Sequence, residues 1–204
     1  MLLINGSLMV IFGTIIYLVS RGIFIGKTYK NQGHVTWLKE ILRFLFAVYI
    51  CMVASVTLFP LPIAFSFEFH PSFRTVNVVP LASIIKNISL IGTAYDGDVL
   101  FMIKLLLRNV GGNILLFIPL GFLAPIIWEK YRSLKSIILF GLIISMTIEI
   151  VQFIESFTEM YGRVTDIDDV ICNVIGAAVG YMVFVLVMRL GRALKINSFN
   201  DLNV

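Results

Sequence analysis

Five stretches of this 204-residue chain stay apolar long enough to cross a bilayer: near 2–20, 41–59, 110–128, 136–154 and 170–188. A hydrocarbon core about 30 Å thick needs roughly 20 helical residues, which is about what each stretch supplies. None alternates with the period of two that marks a barrel strand, and backbone amides in lipid must bond within their own segment. The pattern therefore predicts an all-α, polytopic transmembrane helix bundle of about five spans. The first stretch has no basic segment ahead of Leu2 and no small-residue cleavage site before Arg21, so it reads as a span and not as a signal peptide. A shorter apolar run, 99–107, reads either as an interfacial helix or as an extension of the third span, with Gly111 and Gly112 permitting a break between the two.

Polar residues between the runs give the topology. Arg21, Lys27, Lys30 and Lys39 follow the first span, Lys130, Arg132 and Lys135 follow the third, and Arg189, Arg192 and Lys195 follow the fifth. Short basic segments stay cytoplasmic, which predicts an outward N-terminus and a cytoplasmic C-terminus. The acidic connection 155–169 then falls outside, as does the segment from Pro60 to about Asp98. Phe65, Phe67, Phe69 and Phe73 make that segment too apolar for a free loop, so it reads as lying along the membrane surface with its rings at headgroup level. No linker or repeat divides the chain, so residues 1–204 read as one integral membrane domain.

Composition agrees: 59% hydrophobic and 14% charged residues do not describe a water-soluble surface, a disordered tail or a nucleic-acid-binding module. The net charge of +4 comes from the basic segments between spans and serves as a topology signal. Cys51 and Cys172 sit in apolar runs and read as packing residues. His34 and His70 fall on opposite sides of the membrane in this topology and cannot share a metal.

Charged groups are costly at membrane depth, about 2.5–3.5 kcal/mol each on insertion scales, so those near the spans are site candidates. Ser145, Glu149 and Gln152 share one face of the fourth span, with Glu149 about 7 Å inside its outer end at 1.5 Å per residue. Asp169, Asn173, Gly176 and Gly180 form a stripe on the fifth, which opens with Asp166, Asp168 and Asp169. Arg108, Asn109 and Asn113 open the third. All three sets lie at the outer ends of their helices, where Arg108 and Arg163 can neutralise Glu149 and the aspartates. Each residue also has a plain reading. One aspartate suffices to cap the fifth helix, Glu149 and Gln152 serve equally as interhelical glue, and Gly176-Ala-Ala-Val-Gly180 fits close helix packing.

Asn77-Val-Val-Pro80, Arg108-Asn-Val-Gly-Gly-Asn113 leading into Leu116-Phe-Ile-Pro-Leu-Gly-Phe122, Glu149-Ile-Val-Gln152, and Arg163-Val-Thr-Asp-Ile-Asp-Asp169 with Asn173 and Gly176 occur in that order. Together they resemble the VanZ-like family of bacterial membrane proteins, named for a protein linked to resistance to the glycopeptide teicoplanin. The match covers roughly 77–180, the two preceding spans agreeing only in character. The resemblance implies a multi-pass protein of the bacterial cell membrane acting at the cell envelope.

Read on its own chemistry, the outer cluster is an acidic, amide-rich pocket able to hold a lipid or cell-wall precursor headgroup, with Arg108, Asn113, Glu149, Gln152, Arg163, Asp166, Asp169 and Asn173 as candidate ligand-binding residues. The alternative is a metal-dependent intramembrane enzyme in which Asp166, Asp168 and Asp169 hold Mg²⁺ or Ca²⁺ through oxygen ligands and Glu149 is the acid or base. No HExxH, GxSxG or P-loop supports it. A transporter would carry its polar groups at the midplane on interrupted helices, and a scaffold would fill the pocket with its own side chains.

Overall fold

Lipid offers no partner to a backbone amide, so each apolar run must fold as a helix. The computed structural model, which describes residues 2–31, 33–63, 76–156 and 164–194, has five helical spans. The first is α1 (Gly6–Lys30), the second α2 (Trp37–Leu58). An amphipathic helix α3 (Ala82–Ser89) lies outside the spans. The third span combines α4 (Val99–Leu106), a π-helical turn (Leu107–Gly111) and α5 (Gly112–Ile127). The fourth is α6 (Leu134–Ser156) and the fifth α7 (Ile167–Ala193). The five-span, all-α expectation holds, and the chain is a multi-pass integral membrane protein.

The bounds differ from the sequence reading in ways that have physical causes. α1 runs ten residues past the expected end at 20, about 37 Å in all at 1.5 Å per residue. Arg21 does not stop it because Glu40 on α2 accepts two hydrogen bonds from its guanidinium, while Arg43 approaches the same carboxylate. The segment 21–40 is thus mostly helix and not loop. The run 99–107 extends the third span, and Gly111 and Gly112 keep helical backbone angles, so the permitted break becomes a π-turn that carries Arg108 and Asn109. Phe65, Phe67, Phe69, Phe73 and His70 lie outside the described residues, as do Arg163 and Lys195.

Two short strand pairings close one end of the bundle. β1 (Leu2–Ile4) pairs antiparallel with β2 (Leu61–Ile63), tying the start of α1 to the end of α2. Beyond α2, Pro60 cannot continue a helix. β3 (Val76–Asn77) pairs parallel with β4 (Thr165–Asp166), which joins the segment before α3 to the start of α7.

The core is the α5–α7 contact, with α6 beside α7 and α2 packed on α5 and α6. Phe117, Leu120, Ala124, Ile137 and Ala177 are fully enclosed there. Glycines make the approach possible: a Cβ on Gly176 would land on the Ile114 carbonyl, one on Gly180 on the Ile118 carbonyl, and one on Gly121 on the Ala177 carbonyl. Close backbone approach of this kind replaces the hydrophobic drive that lipid removes. α1 packs on α2 and has no buried residue; Ile15, Ile16 and Val19 stand exposed, as lipid-facing side chains do.

Gly176→Leu is therefore expected to separate α5 from α7 and destabilise the protein by about 1–3 kcal/mol or more. Gly22→Ala on α1, where an added Cβ meets nothing within 4 Å, should leave thermal unfolding in detergent unchanged or slightly raised. Equal unfolding temperatures for Gly176→Leu and wild type would contradict this packing.

Candidate functional site

The site grows from the β3–β4 pairing. Its register sets Asn77 opposite Asp166, and the Asn77 side-chain amide donates to the Asp166 carboxylate at 2.8 Å and to the Ser83 hydroxyl at 3.0 Å. The Asn77 side-chain Oδ1 accepts the Val79 N–H at 3.1 Å, which turns the chain toward Pro80. Asp166 is also the N-cap of α7, accepting the Asp168 N–H at 2.9 Å. Its own backbone N–H donates to Glu149 on α6 at 2.9 Å.

Asp168 works across elements. Its two carboxylate oxygens accept the N–H groups of Leu81 and Ile84, the latter at 3.1 Å, so a side chain of α7 caps the first turn of α3. Leu81 adopts a left-handed backbone at φ 64° to present its N–H. A carboxylate at a helix N-terminus satisfies orphan donors and suits the helix dipole. α3 is held so that Ser83, Ile84 and Asn87 face inward while Val79, Ile85 and Ile88 stay exposed.

Between α3, α2 and the ends of α5, α6 and α7 lies a cavity of about 650 Å³. Arg108, Asn113, Gln152, Asp166, Asp168 and Asp169 line it, together with Thr57, Asn87 and Asn109. Asn113 donates to Asp169 at 2.6 Å and Gln152 to the Thr57 carbonyl at 2.9 Å. Thus the polar ends of the third, fourth and fifth spans do meet in one hollow.

Two of the expected site residues stand behind its wall. Glu149, 5% exposed, holds the backbone of Asp166, and Asn173, 3% exposed, donates to the Ser145 hydroxyl at 2.8 Å. Arg163 lies outside the described residues. The expected arginine–carboxylate neutralisation takes another form: among the described residues, Arg108 sits exposed in the π-turn and forms no ion pair with the aspartates, whose donors are the Asn77 and Asn113 amides and backbone N–H groups. Nor, among the described residues, are three His, Cys, Asp or Glu side chains placed to hold one metal ion. The cavity residues that sequence reasoning passed over are Thr57, Ser83 and Asn87. Asn77 has a legible signal, an Asn three residues before a Pro, which marks a turn, but its partner is 89 residues away.

The arrangement offers amide and guanidinium donors and carboxyl acceptors in a recess at the end of a lipid-embedded bundle, which defines a class: multi-pass helical membrane proteins with a polar cavity at one membrane face. The sequence model of the VanZ/LLP1 family matches residues 46–188, and the chain belongs to that family. The match is wider than the motif region 77–180 and takes in most of α2, whose Val56 and Thr57 line the cavity. No curated protein and no solved structure matches the chain.

Asp168→Asn keeps one acceptor oxygen but turns an amide donor toward the α3 N–H groups, leaving one unpaired at a cost of about 1–3 kcal/mol. Hydrogen exchange of residues 82–89 is expected to quicken by roughly tenfold or more, with the α5–α7 core unaffected. Unaltered protection in 82–89 would show that Asp168 does not hold α3.

Proposed function

We propose that the cavity receives the polar headgroup of a cell-envelope lipid or lipid-linked wall precursor, and that its occupancy alters susceptibility to glycopeptides of the teicoplanin type. One observation carries the reading: a headgroup-sized recess among lipid-facing helices, with Arg108 and Asn109 exposed at its rim and Asn87 half-buried in its lining. Volumes of about 300–1,000 Å³ suit small ligands. A guanidinium at the rim suits a phosphate, while Asp169 and Asn113 suit hydroxyl or amine groups deeper in.

The distribution of charge supports an outward-facing site. Lys27, Lys30, Lys39, Lys130, Arg189 and Arg192 all lie at the helix ends opposite the cavity. With those ends cytoplasmic, the cavity opens on the outer face, the N-terminus is outside and the C-terminus inside, as in a bacterial cell membrane. The link to teicoplanin rests on the family. An enzyme using Asp166, Asp168 and Asp169 with Mg²⁺ or Ca²⁺ draws less support, since both oxygens of Asp168 already accept backbone N–H groups.

Arg108→Gln and Asp169→Asn, made singly, are expected to lower teicoplanin resistance in cells expressing the protein and to reduce the lipid-linked precursor that copurifies with it, at unchanged membrane abundance. If both readouts stay at the wild-type level, the cavity is only structural.

A further inference from the structure

A second recess, of about 390 Å³, opens at the opposite, basic end of the bundle, between α7 and the α5–α6 turn. Arg132, Arg189 and Arg192 line one part of it, and Phe184, Val185 and Met188 the other. We infer that this recess is a binding site for an anionic phospholipid of the leaflet opposite the headgroup cavity, its phosphate on the arginines and the start of an acyl chain on the apolar wall.

The geometry matches such a molecule in three respects. The first is depth. Twenty residues of α7 separate Asp169 from Arg189, about 30 Å of helix, so Arg189 and Arg192 stand at the second membrane boundary while Phe184, Val185 and Met188 lie on its hydrocarbon side. The second is charge. Among the described residues no carboxylate lines the recess, and Glu129, 3.8 Å from Arg132, is 76% exposed, so cationic groups predominate in its described lining. Guanidinium groups bind phosphate through paired hydrogen bonds, and basic recesses between transmembrane helices bind anionic lipid headgroups.

The third is rigidity. The Tyr181 hydroxyl donates to the Arg132 carbonyl at 2.9 Å, and the Arg132 Nε donates to the Pro125 carbonyl at 3.3 Å, which fixes the α5–α6 turn against α7. Val185, Met188, Arg189 and Arg192 lie on one face of α7, at spacings of three and four. Phe184 and Met188 are buried against Ile126. Arginines that served only as a topology signal would need neither a recess nor an adjoining apolar wall.

The test is native mass spectrometry of the full chain in detergent, titrated with phosphatidylglycerol and, separately, with phosphatidylcholine. Phosphatidylglycerol is expected to bind one per chain and on the order of tenfold more tightly than phosphatidylcholine, and R189Q/R192Q should lose that preference. V185W, which keeps every arginine but fills the apolar part, should also weaken binding. Excess inorganic phosphate should not displace the lipid. Equal binding of the two lipids by wild type, full phosphatidylglycerol binding by R189Q/R192Q or by V185W, or displacement by inorganic phosphate would each overturn the site.

Discussion

Carboxyl groups at the end of a lipid-embedded helix must find their hydrogen-bond donors inside the protein, and the start of α7 shows how this chain meets that constraint. Asp166, Asp168 and Asp169 reach three different partners: Asn77 on β3, the first turn of α3, and Asn113 on α5. Glu149 adds a fourth link by accepting the Asp166 N–H from α6. Each bond satisfies a group that would be expensive to leave bare, and together they assemble four elements around one recess. The cavity is thus a consequence of satisfying buried polarity, with the exposed Arg108 and Asn109 left at its edge.

That assembly depends on the helices behind it. The Gly121, Gly176 and Gly180 contacts bring α5 and α7 to backbone distance, and the same approach sets Asn113 within reach of Asp169. Asn173 and Ser145 join α7 to α6 one level deeper, so the polar ladder continues below the cavity floor before the core becomes wholly apolar. The π-turn at Leu107–Gly111 then places Arg108 and Asn109 at the cavity instead of continuing the regular helical stripe. Extra residues in a helical turn often re-aim side chains at sites of function.

The spans and the acidic cluster were legible because length, hydropathy and helical spacing act locally. The glycine stripe on α7 was legible for the same reason. What stayed hidden depended on distant partners. Arg21 looked like the end of a span, since nothing nearby announced that Glu40 would neutralise it. Arg108 looked like the natural partner of the aspartates, but backbone N–H groups of Leu81 and Ile84 have no side-chain signature, and they take Asp168. Glu149 and Asn173 shared a helical face with real cavity residues, yet they lie a turn too deep to line it.

The recess at the start of α7 is proposed to hold an envelope headgroup. A photo-crosslinking residue placed at Asn87, inside the recess, and another at Ile15, on the lipid face of α1, would test it in whole cells. The residue at Asn87 is expected to capture a lipid-linked envelope molecule that the one at Ile15 does not, and the adduct should disappear when Asp169→Asn is added. Identical bulk-lipid adducts at the two positions, or no adduct at Asn87, would contradict it.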